Sequence, residues 1–232
     1  MMFVRMAMAA GALALIGGCA ASQQAREVQT SGFLGSDYGL LREGQDTEAL
    51  LVYRNPNANW SAYDRIKLDP VTVWVGEEST FEDFSAADQK TLADTFYTAI
   101  YQELSQDYAM VDEPGPGVLQ VQVALTEAQA SNPTMDTISS IVPQALLLSQ
   151  AKGLVTGRPG FVGEASAEAR IADGASGELL AAAVDRRVGG KSLGGSTDSW
   201  NDVRQSFVYW ARQFRYRLCT ERGDTGCQAP AV

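Results

Sequence analysis

No histidine occurs anywhere in the 232 residues. That absence excludes a Ser-His-Asp or Cys-His nucleophile, histidine general-base catalysis and every zinc site that needs imidazole. It also removes the side chain that ordinarily senses mild acidification. Cysteine is nearly as scarce, and of the three present Cys19 lies at the end of an apolar N-terminal stretch, leaving Cys219 and Cys227 for the rest. Positive charge is thin: 18 Lys and Arg stand against 28 Asp and Glu, a formal charge of −10. A surface of that sign is repelled by nucleic acid and by anionic lipid head groups, so no nucleic-acid partner is expected. Motifs for a cofactor or a metal are also missing. Gly190-Lys191-Ser192 lacks the earlier glycine of a phosphate loop, since position 185 is Asp, and no EF-hand pattern occurs.

What is present begins at the N-terminus. Arg5 supplies a positive start, and Met6 to Ile16 is an unbroken run of Met, Ala, Gly, Leu and Ile. That is the length of a signal-peptide core and too short to span a bilayer. The run ends Leu15-Ile16-Gly17-Gly18-Cys19, which looks like a bacterial lipobox. Cys19 is then the lipidation site and residues 1–18 the signal peptide. Cleavage removes one base, Arg5, and no acid. Residues 19–30 are small, polar and aperiodic and are expected to tether the folded part to the membrane.

Residues 31–218 read as a single α+β domain. Ala49 to Arg54 and Ile66 to Val75 are β-branched or apolar enough for strands, the second carrying Pro70, which requires an edge position or a bulge. Ser85 opens a helix through Asp107, with Asp88 as an imperfect capping box and Leu92, Phe96, Ala99, Ile100 and Leu104 on one stripe. Ala109 to Val111 is a brief strand. From Val118 the alternation marks a half-buried strand, and Phe161–Ile171 with Leu179–Val188 form a hairpin around Asp173 to Gly177. The alanines of its first strand would let another layer approach closely. Ser199 and Asp202 suggest a second capping box before a helix whose stripe is Trp200, Val203, Phe207, Trp210, Phe214 and Leu218. The predicted fold is a two-layer sandwich of a mainly antiparallel sheet with two amphipathic helices.

Four groups are candidate sites. Cys219 and Cys227 lie eight positions apart in the 219–232 tail, outside a reducing compartment, and a disulfide is expected; a soft-metal site would need two further ligands. Asp185, Arg186, Arg187 and Lys191 are a local positive spot at the hairpin end, either an anion or partner-carboxylate site or a solvated strand end with Asp185 paired. Ile138, Ile141, Val142, Leu146 and Leu148 concentrate around Pro143 in an insert over 134–156. It is either packed under the core or an apolar lip for lipid, ligand or partner. The carboxylate pairs Glu82/Asp83 and Asp112/Glu113 are the material for a histidine-free hydrolase of an envelope polymer, although neighbours on a strand point to opposite faces. No catalytic residue is assigned.

Asp69-Pro70-Val71-Thr72-Val73-Trp74, Pro114-Gly115-Pro116-Gly117-Val118-Leu119, Phe161-Val162-Gly163-Glu164-Ala165, Ala183-Val184-Asp185-Arg186-Arg187 and Asp198-Ser199-Trp200 occur in that order. Together they resemble an uncharacterised family of bacterial envelope lipoproteins, the domain of unknown function DUF 3313, over about residues 31–218. The resemblance implies an outer-envelope lipoprotein and no activity. With Ala20, and not Asp, after the cysteine, the expected location is the periplasmic face of the outer membrane. The expected role is non-enzymatic: binding or assembly with an envelope protein or polymer, with self-association through 138–154 as a further possibility. Mass spectrometry of the native product should find a lipid-modified Cys19 as the new N-terminus; an unmodified thiol there would overturn this reading.

Overall fold

The computed structural model describes residues 22–45, 47–75, 81, 84–129, 163–189 and 200–230. Among them a nine-stranded sheet is packed against two helices. In chain order the elements are β1 (Ser22–Gln24), β2 (Arg42–Glu43), β3 (Leu51–Arg54), β4 (Arg65–Leu68), β5 (Thr72–Val73), α1 (Ala86–Leu104), β6 (Ala109–Met110), β7 (Val118–Gln129), β8 (Glu164–Asp173), β9 (Leu179–Gly189) and α2 (Asn201–Arg222). The long antiparallel strands β7, β8 and β9 form the centre, and the path across the sheet is β2-β3-β9-β8-β7-β4-β6. β1 pairs with the far end of β9 and β5 with the far end of β7, so each outer side of this centre is covered by two short strands. The contacts of β4 and β5 with β7, and of β4 with β6, are parallel. The sheet is therefore mixed, and mostly antiparallel.

Pro70 does more than mark an edge. β4 lies inside the sheet between β7 and β6, and the chain leaves the ladder at Asp69-Pro70-Val71 before resuming as β5. A residue without an amide proton ends one strand and starts a second along the same partner. The α1 start follows the expected cap, with the Ser85 hydroxyl accepting from the Asp88 amide at 3.2 Å. Asp88 uses its carboxylate to accept from that same hydroxyl at 2.6 Å, a short-armed version of the Glu or Gln capping box. α2 ends at Gly223, whose φ of 77° is the left-handed conformation that glycine adopts without strain. The expected cap at Ser199 lies outside the described residues.

The apolar stripes of both helices meet one face of the sheet. Leu92, Phe96, Ile100 and Leu104 from α1 and Val203, Phe207 and Leu218 from α2 are all buried, and Phe96 stacks on Phe207 at 4.5 Å between ring centres. The opposite face has its own cover. Leu34, with Phe33, Tyr38 and Leu41 packed beside it, lies over Ala182 and Val184, while Leu40 points outward. Under this cap Glu168 is fully buried, accepting from the Ser31 amide at 2.7 Å and the Tyr38 hydroxyl at 2.5 Å. Burial and that carboxylate push the Tyr38 hydroxyl above its usual range.

Cys219 and Cys227 are joined as expected, with Cα atoms 5.7 Å apart, and fold the tail back on the last turn of α2. Closing so short a loop is worth about 2–3 kcal/mol in the chain-entropy account. Arg215 of α2 ties the turn that follows α1, donating to both oxygens of Asp107 at 2.6 and 2.9 Å. Those bonds hold the Asp107 carboxyl below its ordinary value. A depressed carboxylate adds stability that is present above its unfolded pKa and is lost as pH falls through the folded one. Asp107→Asn should therefore lower the melting temperature at neutral pH and have little effect once the medium is acid enough to protonate the wild-type carboxylate. Melting curves across the acid range check this.

Candidate functional site

Five described pieces of chain meet at one end of the sheet. Ser22 of β1 pairs with Gly189 of β9, and Gln129 at the end of β7 pairs with Glu164 at the start of β8. The Gly189 amide donates to the Gly163 carbonyl at 2.7 Å. The first turn of α2 comes down onto the same spot, where the Asp202 carboxylate accepts from the Gly163 amide at 3.0 Å. Glycine is required here. A Cβ on Gly189 would lie 2.4 Å from the Asp202 carboxyl carbon, and one on Gly163 2.9 Å from the Asp202 Cβ. The missing side chains let a helix N-terminus, with its acidic residue, rest directly on the sheet.

β1 is the unexpected member. Residues 19–30 look like a tether, yet Ser22–Gln24 is a strand and Ser22 is buried. The physical reason lies in β9. Arg187 is 1% exposed, and its guanidinium donates to the Ser22 hydroxyl at 2.9 Å and to the Ser22 carbonyl at 2.7 Å. Its other side lies over the Tyr209 ring of α2, 3.4 Å from the centroid. Burial pushes this guanidinium below its usual range, with Tyr209 and Asp185 opposing. Polar residues enter the sheet because a buried cation needs acceptors, a requirement that apolar periodicity does not show.

Asp185, on the same face of β9, completes the tie. Its carboxylate accepts from Gln24 Nε2 at 2.7 Å, from Trp210 Nε1 at 2.7 Å and from the Leu50 amide at 3.2 Å. Burial raises its pKa even against these bonds and the nearby Arg187 charge. Arg186 faces the other way. It pairs with Glu164 at 2.9 Å and Glu127 at 3.3 Å, and Ser166 donates to Glu127 at 2.8 Å. The expected positive spot thus divides between the two faces of β9. Asp185, Arg186 and Arg187 are each less than a tenth exposed and engage internal partners, so these side chains are neither a solvated strand end nor an open anion cradle. Lys191 lies outside the described residues, as do Cys19, Glu82, Asp83 and the insert residues Ile138, Ile141, Val142, Leu146 and Leu148. Asp112 and Glu113 are exposed on the bend between β6 and β7.

The alanines of the hairpin do not draw the helix close. Ala167, Ala169, Ala181 and Ala183 face α2, but the helix does not settle onto them; a cavity of about 190 Å³ remains between sheet and helix. Trp60, Phe96, Ile100, Val123 and Ile171 line its inner part, Trp210, Phe214 and Leu218 its helical wall, and Val52 its outer floor. Trp210, Phe214 and Phe96 are too broad to drop into gaps of alanine depth. A segment at 47–50 bridges the gap to α2, Thr47 accepting from Gln213 at 2.6 Å and from Arg217. Among the described residues no group of three or more His, Cys, Asp and Glu is placed to hold a metal. No helix there is long and apolar enough to cross a membrane.

The family model described as "Protein of unknown function (DUF3313)" matches residues 29–214. No curated protein matches the sequence. Among solved structures, a PelC dodecamer from Paraburkholderia phytofirmans is similar with a TM-score of 0.37 at 8% identity, covering 75% of this chain and 95% of that one. Protein XCC0632 from Xanthomonas campestris, assigned to DUF330, gives a TM-score of 0.42 at 7% identity, covering 73% and 92%.

Two variants probe the anchoring end. Arg187→Met should cost about 2–3 kcal/mol, the worth of hydrogen bonds to a charged group. It should also strip amide protection from Ser22–Gln24 in hydrogen exchange while the core strands keep theirs. Asp185→Asn addresses pH. A carboxyl whose folded pKa is raised contributes stability that is present below its unfolded pKa and lost as pH rises through the folded value. The variant should lose that downward trend, which denaturation at about pH 3 and about pH 7, either side of the ordinary carboxylate range, would read.

Proposed function

The chain belongs to the DUF3313 family of proteins of unknown function, and we propose that it is a lipid-anchored envelope protein. In this reading the anchoring end of the sheet lies flush against the bilayer, and the protein acts there as a non-enzymatic binding or assembly factor. The observation that carries the reading is the position of β1. Strand pairing begins at Ser22, the third residue after Cys19. Three extended residues reach at most about 10 Å, so a lipid on Cys19 would hold the domain against the head groups instead of on a long leash. Arg187 and Asp185 would transmit that hold into β9 and α2 through Ser22, Gln24, Tyr209 and Trp210.

A second observation supports the same orientation. The insert leaves β7 at Gln129 and rejoins the fold at Gly163, both at this end. Ile138, Ile141, Val142, Leu146 and Leu148 thus belong to a segment whose two stems emerge beside the anchor strand. Contact of those apolar residues with lipid or with an envelope partner is the simplest use of them. Lys191 belongs to the segment between Gly189 and Trp200, whose stems lie at the same end, where a cation would meet anionic head groups. With Ala20 next to the cysteine, the proposed location is the periplasmic face of the outer membrane. A hydrolase working through Asp112 and Glu113 draws no support from their exposed bend.

Hydrogen exchange on the vesicle-attached chain, compared with Cys19→Ser in solution, tests the orientation. Attachment should protect the amides of Ser22, Gly163, Gly189 and the first turn of α2, and leave the β6–β7 bend unchanged. Equal exchange in both forms at that end would mean that the domain is held away from the membrane. Ile141→Asp with Leu146→Asp should weaken whatever contact the insert makes, read as reduced cross-linking to lipid or partner at unchanged melting temperature.

A further inference from the structure

The cavity beside α2 is built for an apolar occupant, and we propose that it holds the acyl chain of an anionic amphiphile, with the head group at Arg217. This goes beyond the anchoring function and does not depend on it, because the cavity is lined by β3, β7, β8, β9, Trp60, the two helices and the 47–50 segment, and not by the anchor strand β1.

The size and walls favour an acyl chain over bulkier ligands. At about 190 Å³ the space falls below the roughly 300–1,000 Å³ of sites that enclose drug-sized molecules, so it suits a slender chain rather than a fused-ring body. Its floor is the row Ala167, Ala169, Ala181 and Ala183, and its helical wall is Trp210 and Phe214. Its exposed lining is almost wholly apolar, a surface that gains more from covering by hydrocarbon than from contact with water. Asp185, the charged group at the β1 side, has both oxygens committed to donors from Gln24, Leu50 and Trp210, so it gives water little reason to enter.

The rim is polar and asymmetric. Arg54 is neutralised there, lying 3.1 Å from Glu48 and 2.8 Å from Glu221. Arg217 instead donates to the neutral carbonyl and hydroxyl of Thr47 and, among the described residues, makes no direct ion pair, while its charge reaches Glu48 across the rim. A carboxylate or phosphate at the rim would find the Arg217 guanidinium, held in place by Thr47, beside an apolar opening. Fatty acids and anionic phospholipids share this chemistry.

The test isolates the full chain from native membranes in a bile-salt detergent, which carries no acyl chain of its own. Non-covalently held lipid is then extracted and identified by mass, which separates free fatty acid from phospholipid. Acyl groups linked to the protein stay in the protein fraction, so failure of the anchoring proposal is read separately. Wild-type chain should retain about one acyl-bearing molecule per protein; Ala183→Leu and Ala169→Leu, which fill the floor, should retain at least about tenfold less. Both should melt at or above the wild-type temperature, as expected when a void is filled. Binding of added decanoate, read as a change in Trp fluorescence, should weaken in Arg217→Gln while binding of decanol does not. Lipid-free wild-type protein that also fails to bind decanoate, or equal retention by wild type and both filled variants, would overturn the proposal. Should one leucine variant not fold, the other carries the comparison.

Discussion

A buried guanidinium that must be given acceptors governs this structure. Arg187 sits on the central hairpin under α2, where water hardly reaches it, and its donors bond the Ser22 hydroxyl and carbonyl brought alongside, with Tyr209 and Asp185 as further partners. Taking a cation out of water is costly unless its donors are bonded, so the N-terminal segment is drawn into the sheet as a strand. Asp185 two residues earlier does the same with Gln24 and adds Trp210, which locks the register of β1 against β9 and of α2 against both. One face of a single strand thus joins the segment next to Cys19, the long hairpin and the C-terminal helix into one unit. The other face is held separately by Arg186 with Glu127 and Glu164, and by Glu168 under the Ser31–Leu41 cap.

The close approach at Gly163 and Gly189 and the wide separation farther along α2 have one origin. Side-chain volume along the hairpin sets how far the helix stands from the sheet. Where glycine occurs, the first turn of α2 touches backbone and Asp202 can reach the Gly163 amide. Farther along, Phe207 and Trp210 pack on the Phe96 ring, and α2 stands above the alanines. A rigid rod supported at both ends over a shallow floor leaves a hollow beneath it. The anchoring end and the acyl-sized cavity are therefore two consequences of the same helix lying across the same hairpin.

Much of the framework is legible without coordinates. Three- and four-residue spacing of Leu92, Phe96, Ile100 and Leu104, and of Val203, Phe207 and Leu218, marks both helices and their buried faces. Turn chemistry at Asp173 to Gly177 marks the hairpin: Asp173 accepts from the Ala175 and Ser176 amides at 3.0 and 2.6 Å, and Gly177 takes a positive φ. The Cys219–Cys227 bridge follows from eight-residue separation in a Gly-containing tail. The positive cluster at 185–187 was visible as a cluster, but its meaning was not. Adjacent charges on a strand look like one patch in linear order, whereas the pleat sends Arg186 to one face and Asp185 and Arg187 to the other.

Local order in a chain is written by periodicity, caps and turns, all of which act over a few residues. The helices, the hairpin, the α+β class and the apolar N-terminal run ending in Cys19 belong to that range. Long-range pairing settled the rest. That Ser22 meets Arg187, that Gln24 meets Asp185, and that α2 rides above a row of alanines depend on residues more than a hundred positions apart or on the relative heights of packed layers. Nothing in the neighbours of a polar, aperiodic segment announces that a cation buried elsewhere will need its oxygens.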